Sequence, residues 1–172
     1  MAVLPILTVP EPILRQKTRR IRTIDDSVRK LIENMQETLH AEEGRAGLAA
    51  PQIGSHLRIT VISVSDEEED VILINPEIVK KKGERIVTEG CLSIPGYCAE
   101  LTRAEQVTAK GLGPDGKEVR IKAEGLLAQA LEHEIDHLDG ILYIDHLDSP
   151  DKLRPVSSGT EEEAEAEDIA SE

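Results

Sequence analysis

The stretch LEHEIDHLDG, residues 131–140, places His133 and His137 four positions apart, with Glu134 beside the first histidine. On an α-helix, side chains four residues apart lie on the same face, so both imidazoles can bind one metal ion. Glu134 would then lie close enough to transfer a proton. The pattern predicts a catalytic metal site, which usually has three protein ligands and one position left for water.

A third ligand does not follow downstream of the motif. The metzincin pattern would place a histidine at position 143, but that residue is Tyr143, and His146 lies in a stretch typical of an exposed loop. Upstream, Cys91 in the stretch EGCLS (89–93) is flanked by Gly90 and follows a run typical of a strand. A thiolate and two imidazoles leave one position open, so Cys91 is the predicted third ligand.

The motif lies in a predicted helix from about Glu124 to Asp139, which Gly140 would end. Its apolar residues occupy nearly all faces of the helix. They are Leu126, Leu127, Ala130, Leu131, Ile135 and Leu138. A helix that is hydrophobic on most faces is buried. The histidines are therefore expected inside the protein or at the floor of a cleft.

Other segments predict the elements around this helix. Residues 25–44 predict an amphipathic helix, residues 57–65 and 71–79 predict strands, and residues 103–125 predict a hairpin that turns at 114–116. The helix stripe consists of Val28, Leu31, Ile32, Met35 and Leu39. Asp25 or Asp26 can cap this helix and Gly44 can end it.

The length of 172 residues predicts one domain, whose core must be aliphatic because the chain has no Phe and no Trp. The net charge of −14 argues against nucleic acid as a direct partner. No apolar run approaches the length of a membrane span, and the N-terminal stretch does not resemble a secretory signal. The chain is therefore expected in the cytoplasm, where two cysteines favour metal binding or catalysis over a disulfide.

The C-terminal end of the chain differs from the rest in composition. Residues 151–172 hold eight acids against Lys152 and Arg154, a net charge of −6. Residues 156–172 show no periodicity and are predicted to be a disordered acidic tail, which leaves residues 1–155 as the catalytic domain.

Three motifs together resemble those of peptide deformylases in order and spacing: GLAAPQIG (47–54), EGCLS (89–93) and EHEIDHLDG (132–140). The start ILTVPEPILR also resembles that family, and the resemblance covers about residues 4–150. It implies an α+β fold with mainly antiparallel strands packed around a buried central helix that carries the HExxH motif. It also implies a metal-dependent hydrolase that removes the formyl group from the N-terminal formyl-methionine of newly synthesised polypeptides and releases formate.

The resemblance also implies roles for individual residues. Cys91, His133 and His137 match the ligands of one divalent ion, for which Fe²⁺ is expected and Zn²⁺, Ni²⁺ or Co²⁺ are alternatives. Glu134 matches the general base and acid. The positions that match the oxyanion-stabilising groups are Gln52 and the backbone N–H of Leu92. The implied substrate-binding residues are Ala46, Gly47, Val87, Glu89, Gly90, Leu126 and Ala130.

The chain departs from the family pattern at four places. Arg45 stands where the family commonly has a glycine, and Ala46 replaces a larger aliphatic residue, which changes the shape and charge of the substrate rim. Glu132 replaces the usual Gln and is expected to add negative charge near the metal. Some bacterial members end in a basic helix that docks on the ribosome, and that helix is absent from this sequence. Ribosome docking would need another mode, whereas formyl-methionyl nascent polypeptides remain the expected partners.

Two other functions fit some of the same residues. A closed structural zinc site could use Cys91, Cys98, His133 and His137, although the spacing of the two cysteines is wider than usual and Glu134 would have no role. A metallopeptidase, or an amidase for another N-acyl group, would use the same metal site. Turnover of formyl-Met and acetyl-Met peptides separates these readings.

Overall fold

A computed structural model describes residues 2–156, so all of the predicted tail except Val156 lies outside the described residues. Eight strands occur in this part: β1 (Gly47–Ala49), β2 (Ile59–Ile62), β3 (Val71–Lys82), β4 (Arg85–Cys91), β5 (Ile94–Arg103), β6 (Gln106–Leu112), β7 (Glu118–Glu124) and β8 (Arg154–Pro155). The two α-helices are α1 (Asp26–His40) and α2 (Gly125–Leu138). Short 3₁₀ helices span Pro12–Arg15, Ala50–Ile53, Tyr143–His146 and Pro150–Lys152.

The strands form two antiparallel sheets. One has five strands in the order β1-β2-β3-β6-β7, and the other has three in the order β4-β5-β8. The predicted α+β class with antiparallel strands is therefore confirmed. No helix within residues 2–156 is long and apolar enough to cross a membrane.

The five-stranded sheet has a helix on each face. Ile59 and Val61 of β2 point into an apolar cluster with α1, whereas the alternate residue Ile62 joins a cluster with α2. This alternation follows from the two-residue period of a strand. A sheet covered on both faces buries the residues of both faces, and all four residues of β2 are buried, with the hydroxyl of Thr60 donating to Leu48 O at 2.9 Å. The predicted strand 57–65 is thus correct in type and longer than the observed one.

Helix α1 forms as its cap and apolar stripe predict. The Asp25 carboxylate accepts a hydrogen bond from the backbone N–H of Val28 at 3.0 Å, which satisfies one of the free donors of the first turn. Val28, Ile32, Met35 and Leu39 are buried against the sheet. The helix ends at His40, four residues before Gly44, because the chain turns there towards β1.

Helix α2 matches the predicted motif helix within one residue at each end. Its last carbonyl, of Leu138, accepts hydrogen bonds from Thr18 Oγ1 at 2.8 Å and Arg58 Nη1 at 3.3 Å. Gly140 then adopts φ +75°, and a Cβ there would lie 2.7 Å from the backbone of Arg15. Glycine is required at this position both by the left-handed conformation and by the close approach of a second chain segment.

The segment before α1 is tied to the sheet by Asn75 of β3. Asn75 is buried and accepts a hydrogen bond from Ile21 N at 2.7 Å, while its Nδ2 donates to Ile21 O at 2.8 Å. It is the one non-glycine residue among those described with positive φ, at +54°. Asn tolerates this conformation better than most residues do.

Replacement of Asn75 tests this connection. Asn75→Ala should lower the free energy of unfolding by about 3–4 kcal/mol, because it leaves both backbone groups of Ile21 buried without partners and strains the backbone. Asn75→Gly removes the strain alone and should recover at most about 1 kcal/mol. Urea unfolding of the three proteins measures these differences. A loss below about 1 kcal/mol for Asn75→Ala would show that Ile21 finds other partners.

Candidate metal centre and cleft

Three potential metal ligands meet where the end of β4 approaches α2. The ligand atoms of Cys91, His133 and His137 all lie within 4.8 Å of one another, and Cys91 Sγ is 3.1 Å from His137 Nε2. Both imidazoles are buried and their ring centroids are 4.9 Å apart. The helical spacing of four residues brings the histidines together, and a register shift between Gly90 and Cys91 marks the end of β4.

The orientation of the His133 ring is set by the neighbouring strands. Its Nδ1 is hydrogen-bonded to the carboxylate of Glu89 on β4, which leaves Nε2 directed towards Glu134 and the other ligands. Glu89 also accepts two hydrogen bonds from Arg103 of β5, at 2.6 and 3.0 Å. Arg103 in turn donates to Asp136 of α2 at 2.9 Å. These contacts join two strands of the small sheet, β4 and β5, to the motif helix.

The surroundings favour the protonated form of the His133 ring and the neutral form of the His137 ring. Burial lowers the pKa of His133, but hydrogen bonds to Cys91 and Glu89 outweigh burial and raise that pKa well above its ordinary value. Burial lowers the pKa of His137 well below its ordinary value. For Glu89, burial raises the pKa, yet the hydrogen bonds from His133 and Arg103 prevail and hold it at about 2. Glu89 is therefore a fixed anion at neutral pH.

Glu134 lies next to the ligands without joining them. Its side chain is buried, with Oε1 4.0 Å from His133 Nε2 and Oε2 without a hydrogen-bond partner in residues 2–156. Burial raises the pKa of Glu134 to about 7. Gly47 of β1 makes room for this carboxylate, because a Cβ on Gly47 would lie only 2.8 Å from Glu134 Oε1.

Gln52 is held with its amide nitrogen towards Cys91. The side-chain oxygen accepts a hydrogen bond from Ala49 N at 2.9 Å, and Nε2 donates to Ser93 Oγ at 3.1 Å and lies 3.8 Å from Cys91 Sγ. The carboxamide therefore cannot turn over without losing the bond from Ala49. A fixed N–H donor of this kind suits a site where negative charge develops during a reaction.

These groups open into a cleft of about 600 Å³ between β1, β4 and α2. All but two of the predicted site residues line it: Ala46, Gly47, Gln52, Glu89, Gly90, Cys91, Leu92, Leu126, Ala130, His133 and Glu134. Val87 instead packs in an apolar cluster with Leu101, Leu142 and Tyr143, and His137 lies behind the cleft at 1% exposure.

The surroundings of Glu132 differ from those expected from the sequence, which placed its negative charge near the metal. Its carboxylate pairs with Lys81 Nζ at 2.9 Å and accepts a hydrogen bond from Ala104 N at 3.0 Å. Neither partner is a metal-ligand candidate or lines the cleft. The charge of Glu132 is thus neutralised by Lys81 on β3, because a helix directs neighbouring residues to different faces.

Other residues at the site were missed by reasoning from the sequence. Arg103 and Asp136 orient the groups around the histidines, and Gln129 donates to Thr88 O at 3.2 Å beside the cleft. Tyr143 stacks near His133 at a ring-centroid distance of 6.2 Å. No local signal marks Arg103 or Tyr143, since each reaches the site from a distant part of the chain.

A buried carboxylic acid beside a thiol and two imidazoles at the floor of a cleft has the features of a metal-dependent hydrolase. The family model of polypeptide deformylase matches residues 3–153. The chain is 57% identical over 161 residues to the peptide deformylase of Dehalococcoides mccartyi (strain CBDB1), with 94% of this chain and 96% of that protein covered. It is 47% identical over 173 residues to the Thermomicrobium roseum peptide deformylase, with 96% and 98% covered.

Solved structures agree with this assignment. The crystal structure of a Legionella pneumophila peptide deformylase superposes with a TM-score of 0.84 at 46% identity and covers 88% of this chain and 89% of that one. An Ehrlichia chaffeensis peptide deformylase in complex with actinonin gives a TM-score of 0.83 at 39% identity, with 88% and 92% covered. The chain belongs to the polypeptide deformylase family, and the predicted hydrolase with deformylase activity is confirmed.

The contact between Gly47 and Glu134 generates a test of the site. The methyl group in Gly47→Ala should push the Glu134 carboxylate aside and lower deformylase activity by about 10²-fold, with melting temperature and metal content retained. Formate release measures the loss. The double variant Gly47→Ala/Glu134→Ala should be no slower than Glu134→Ala alone. Two independent, additive losses would show that Gly47 acts through another group.

Proposed function

We propose that this enzyme removes the formyl group from N-terminal formyl-methionine with Cys91, His133 and His137 holding one divalent ion and Glu134 moving the proton. The observation that carries the proposal is that these four side chains meet at one place, with Cys91, His133 and Glu134 lining the cleft and His137 buried behind it. Gln52 is distant from all four residues in the chain, yet the fold places its Nε2 3.8 Å from Cys91 Sγ.

The side chains present suit a divalent ion. The Nδ1 of His133 is engaged by Glu89, so its Nε2 is free to act as a ligand, and burial keeps His137 neutral by lowering its pKa. A thiolate and two imidazoles accept several first-row metals, and we take Fe²⁺ as the native ion with Zn²⁺, Ni²⁺ or Co²⁺ as substitutes. When bound, such an ion would supply Lewis-acid chemistry to water and to the formyl carbonyl.

Glu134 is the residue we assign to proton transfer. Its carboxylate is within reach of the cleft, lies beside the proposed ligands and has one oxygen without a partner among the described residues. It would accept a proton from the attacking water and return it to the departing amine. The C–N bond of the formamide then breaks to give formate and a free α-amino group.

The negative oxygen of the tetrahedral intermediate needs hydrogen-bond donors. Gln52 Nε2 points towards Cys91 and is held there by the bond between its side-chain oxygen and Ala49 N. The backbone N–H of Leu92, next to Cys91 on the cleft wall, is the second proposed donor. Donors fixed before the reaction stabilise a developing charge without the cost of reorganising.

The substrate methionine would enter between β1, β4 and α2. The proposed contacts on this path are Ala46, Gly47, Glu89, Gly90, Leu126 and Ala130. Val87 was predicted for the same pocket. It packs in the apolar cluster beside the cleft and does not line the cleft, so we propose at most an indirect contribution to substrate binding. Leu126 is about half exposed at the mouth of the cleft, so apolar surface is available to a thioether side chain.

The remaining expectations concern the whole protein. We propose residues 1–155 as the catalytic domain, with α2 as the central helix around which the strands pack, and the family match over 3–153 supports those bounds. Because the substrates are nascent polypeptides, we place the reaction in the cytoplasm, without direct contact to nucleic acid through the cleft. Residues 156–172 are acidic in composition, so we propose that any ribosome docking through them would need another mode than a basic helix.

The geometry argues against the structural-zinc alternative. Within residues 2–156, the cluster of potential ligands comprises Cys91, His133 and His137 and does not include Cys98, whose Cα pairs with Gly90 across the sheet. A closed four-ligand site therefore lacks its fourth side chain. Cys98 is half-buried on β5.

The identity of the ion can be tested by oxidation. Enzyme loaded with Fe²⁺ under anaerobic conditions should be active and lose activity in air faster than a Ni²⁺-loaded preparation, because Fe²⁺ is oxidised by air and Ni²⁺ is not. The measurement is the half-life of formate release for both preparations, with metal content followed in parallel. Equal half-lives in air would remove iron oxidation as the cause of inactivation.

The role of Glu134 is the central test of the mechanism. Glu134→Ala should keep stoichiometric metal and a near-native melting temperature, because the carboxylate is not a proposed ligand. It should lose the proton transfer, which typically contributes about 10²- to 10⁴-fold. Formate release from a formyl-Met peptide measures the loss.

Cys91→Ala serves as the comparison, since removal of a proposed ligand should reduce metal content and activity together. Acetyl-Met peptides measured with the native enzyme show whether another N-acyl group is accepted. An active Glu134→Ala enzyme with full metal content would rule out the proposed mechanism.

A further inference from the structure

The two histidines of the proposed metal site are held in different ways. The Nδ1 of His133 is hydrogen-bonded to Glu89, whereas the Nδ1 of His137 has no hydrogen-bond partner within residues 2–156. A metal-binding histidine usually donates its second ring nitrogen to a group that fixes the orientation of the ring. The position of His137 is therefore set by contacts other than a hydrogen bond to its ring.

The ring of His137 follows the backbone at the end of α2. The side chain is only 1% exposed, so the close packing around it leaves the ring little room to turn. His137 is the second-last residue of the helix. A shift of this last turn would carry the ring with it, and distances between a metal and its ligands tolerate changes of only about 0.2 Å.

Three donors meet at the carbonyl of Leu138, the residue after His137. Thr18 supplies two of them, its backbone N–H and its hydroxyl, both at 2.8 Å, and Arg58 Nη1 supplies the third at 3.3 Å. The same Arg58 nitrogen lies 2.7 Å from Asp139 Oδ1. Carbonyls in the last turn of a helix have no donor within the helix, and here outside groups bind two successive residues.

Arg58 is itself fixed to the five-stranded sheet. Its Nε donates to Pro76 O at 3.1 Å. Its backbone N–H donates to Arg19 O at 3.0 Å, and its carbonyl accepts from Asn75 N at 2.8 Å. Arg58 and Thr18 are both more than 90% buried, and neither lines the cleft or belongs to the cluster of potential metal ligands. Their contacts therefore act on the end of the helix and not on the substrate.

We propose that Thr18 and Arg58 are positioning residues for the metal, because they hold the end of α2 and so place His137 at the proposed site. The five-stranded sheet thus positions His137, whereas the small sheet positions His133 through Glu89. This inference rests on the proposed function, since it requires His137 to be a metal ligand. Weakening the contact at the helix end should speed the release of the metal.

The test follows the release of Co²⁺ from the metal-loaded enzyme into an excess of chelator. The absorption of the bond between Co²⁺ and the Cys91 thiolate reports how much ion remains bound. Thr18→Val keeps nearly the same shape and lacks the hydroxyl, so release should be about 3- to 10-fold faster than from the native enzyme. Thr18→Ser restores a hydroxyl and should release Co²⁺ at the native rate.

Thr60→Val is the matched control for Thr18→Val. The Thr60 hydroxyl is also buried and also donates to a backbone carbonyl, that of Leu48 at 2.9 Å, but this carbonyl belongs to β1 and not to α2. Release from Thr60→Val should therefore occur at the native rate. Melting temperatures of the loaded proteins show whether the two valine variants lose similar stability.

Arg58→Lys extends the series. It keeps the positive charge, but one ammonium group cannot reproduce the separate contacts of Nε and Nη1. Release should be about 10- to 100-fold faster than from the native enzyme, the range found when groups that orient metal ligands are removed.

The two valine variants decide the question even if Arg58→Lys does not fold. Release from Thr18→Val at the native rate would overturn the positioning role. Equal acceleration in Thr18→Val and Thr60→Val would overturn it as well, because the effect would then report a general loss of stability. A native enzyme that binds no Co²⁺ would instead overturn the proposed metal site, and this inference with it.

Discussion

The carboxylate of Glu89 lies between the imidazole of His133 and the guanidinium of Arg103, and the geometry of the metal centre depends on this contact. Cys91 follows two residues later on the same strand, so the position of Glu89 against α2 determines how far the thiol lies from the histidines. Arg103 also holds Asp136, the residue before His137. One guanidinium therefore contacts two carboxylates, that of Glu89, which bonds to His133, and that of Asp136, which precedes His137 in the chain, and it joins β4, β5 and α2 at one point.

Charges this deeply buried are costly to remove from water, and the cost is offset only when each has well-placed partners. Arg103 and Glu89 are both about 95% buried, and they bond to each other through two nitrogen–oxygen contacts. An apolar cluster of the same volume would stabilise the fold as well. Such a cluster could not form a hydrogen bond with Nδ1 of His133. The ring would then be free to turn its Nε2 away from Cys91. The network is best understood as a means of orienting a ligand.

Much of the local structure could be predicted from the sequence, because local patterns determine it. The two helices follow from apolar spacing with a cap at Asp25 and a glycine at position 140, and the hairpin follows from the turn 114–116. Contacts between distant segments could not be predicted in this way. Arg103 precedes Asp136 by 33 residues and follows Glu89 by 14, and nothing near Arg103 in the chain marks it as part of the site. Val87 lies on the same face of β4 as Glu89, yet it packs against Leu101, Leu142 and Tyr143, which come from other parts of the chain.

Glu132 and Glu134 show how one helix separates structural and chemical roles. They are two positions apart on α2 and equally buried, at 4% exposure each. Glu132 pairs with Lys81 and accepts a hydrogen bond from a backbone N–H. Its charge therefore stabilises the contact between α2 and β3. Glu134 faces the cleft with one oxygen that has no partner among residues 2–156. A buried carboxyl without a partner is unfavourable for stability, and burial raises its pKa to about 7, where a proton can be both taken up and released. The rest of the helix supplies the rigidity that keeps this group in place.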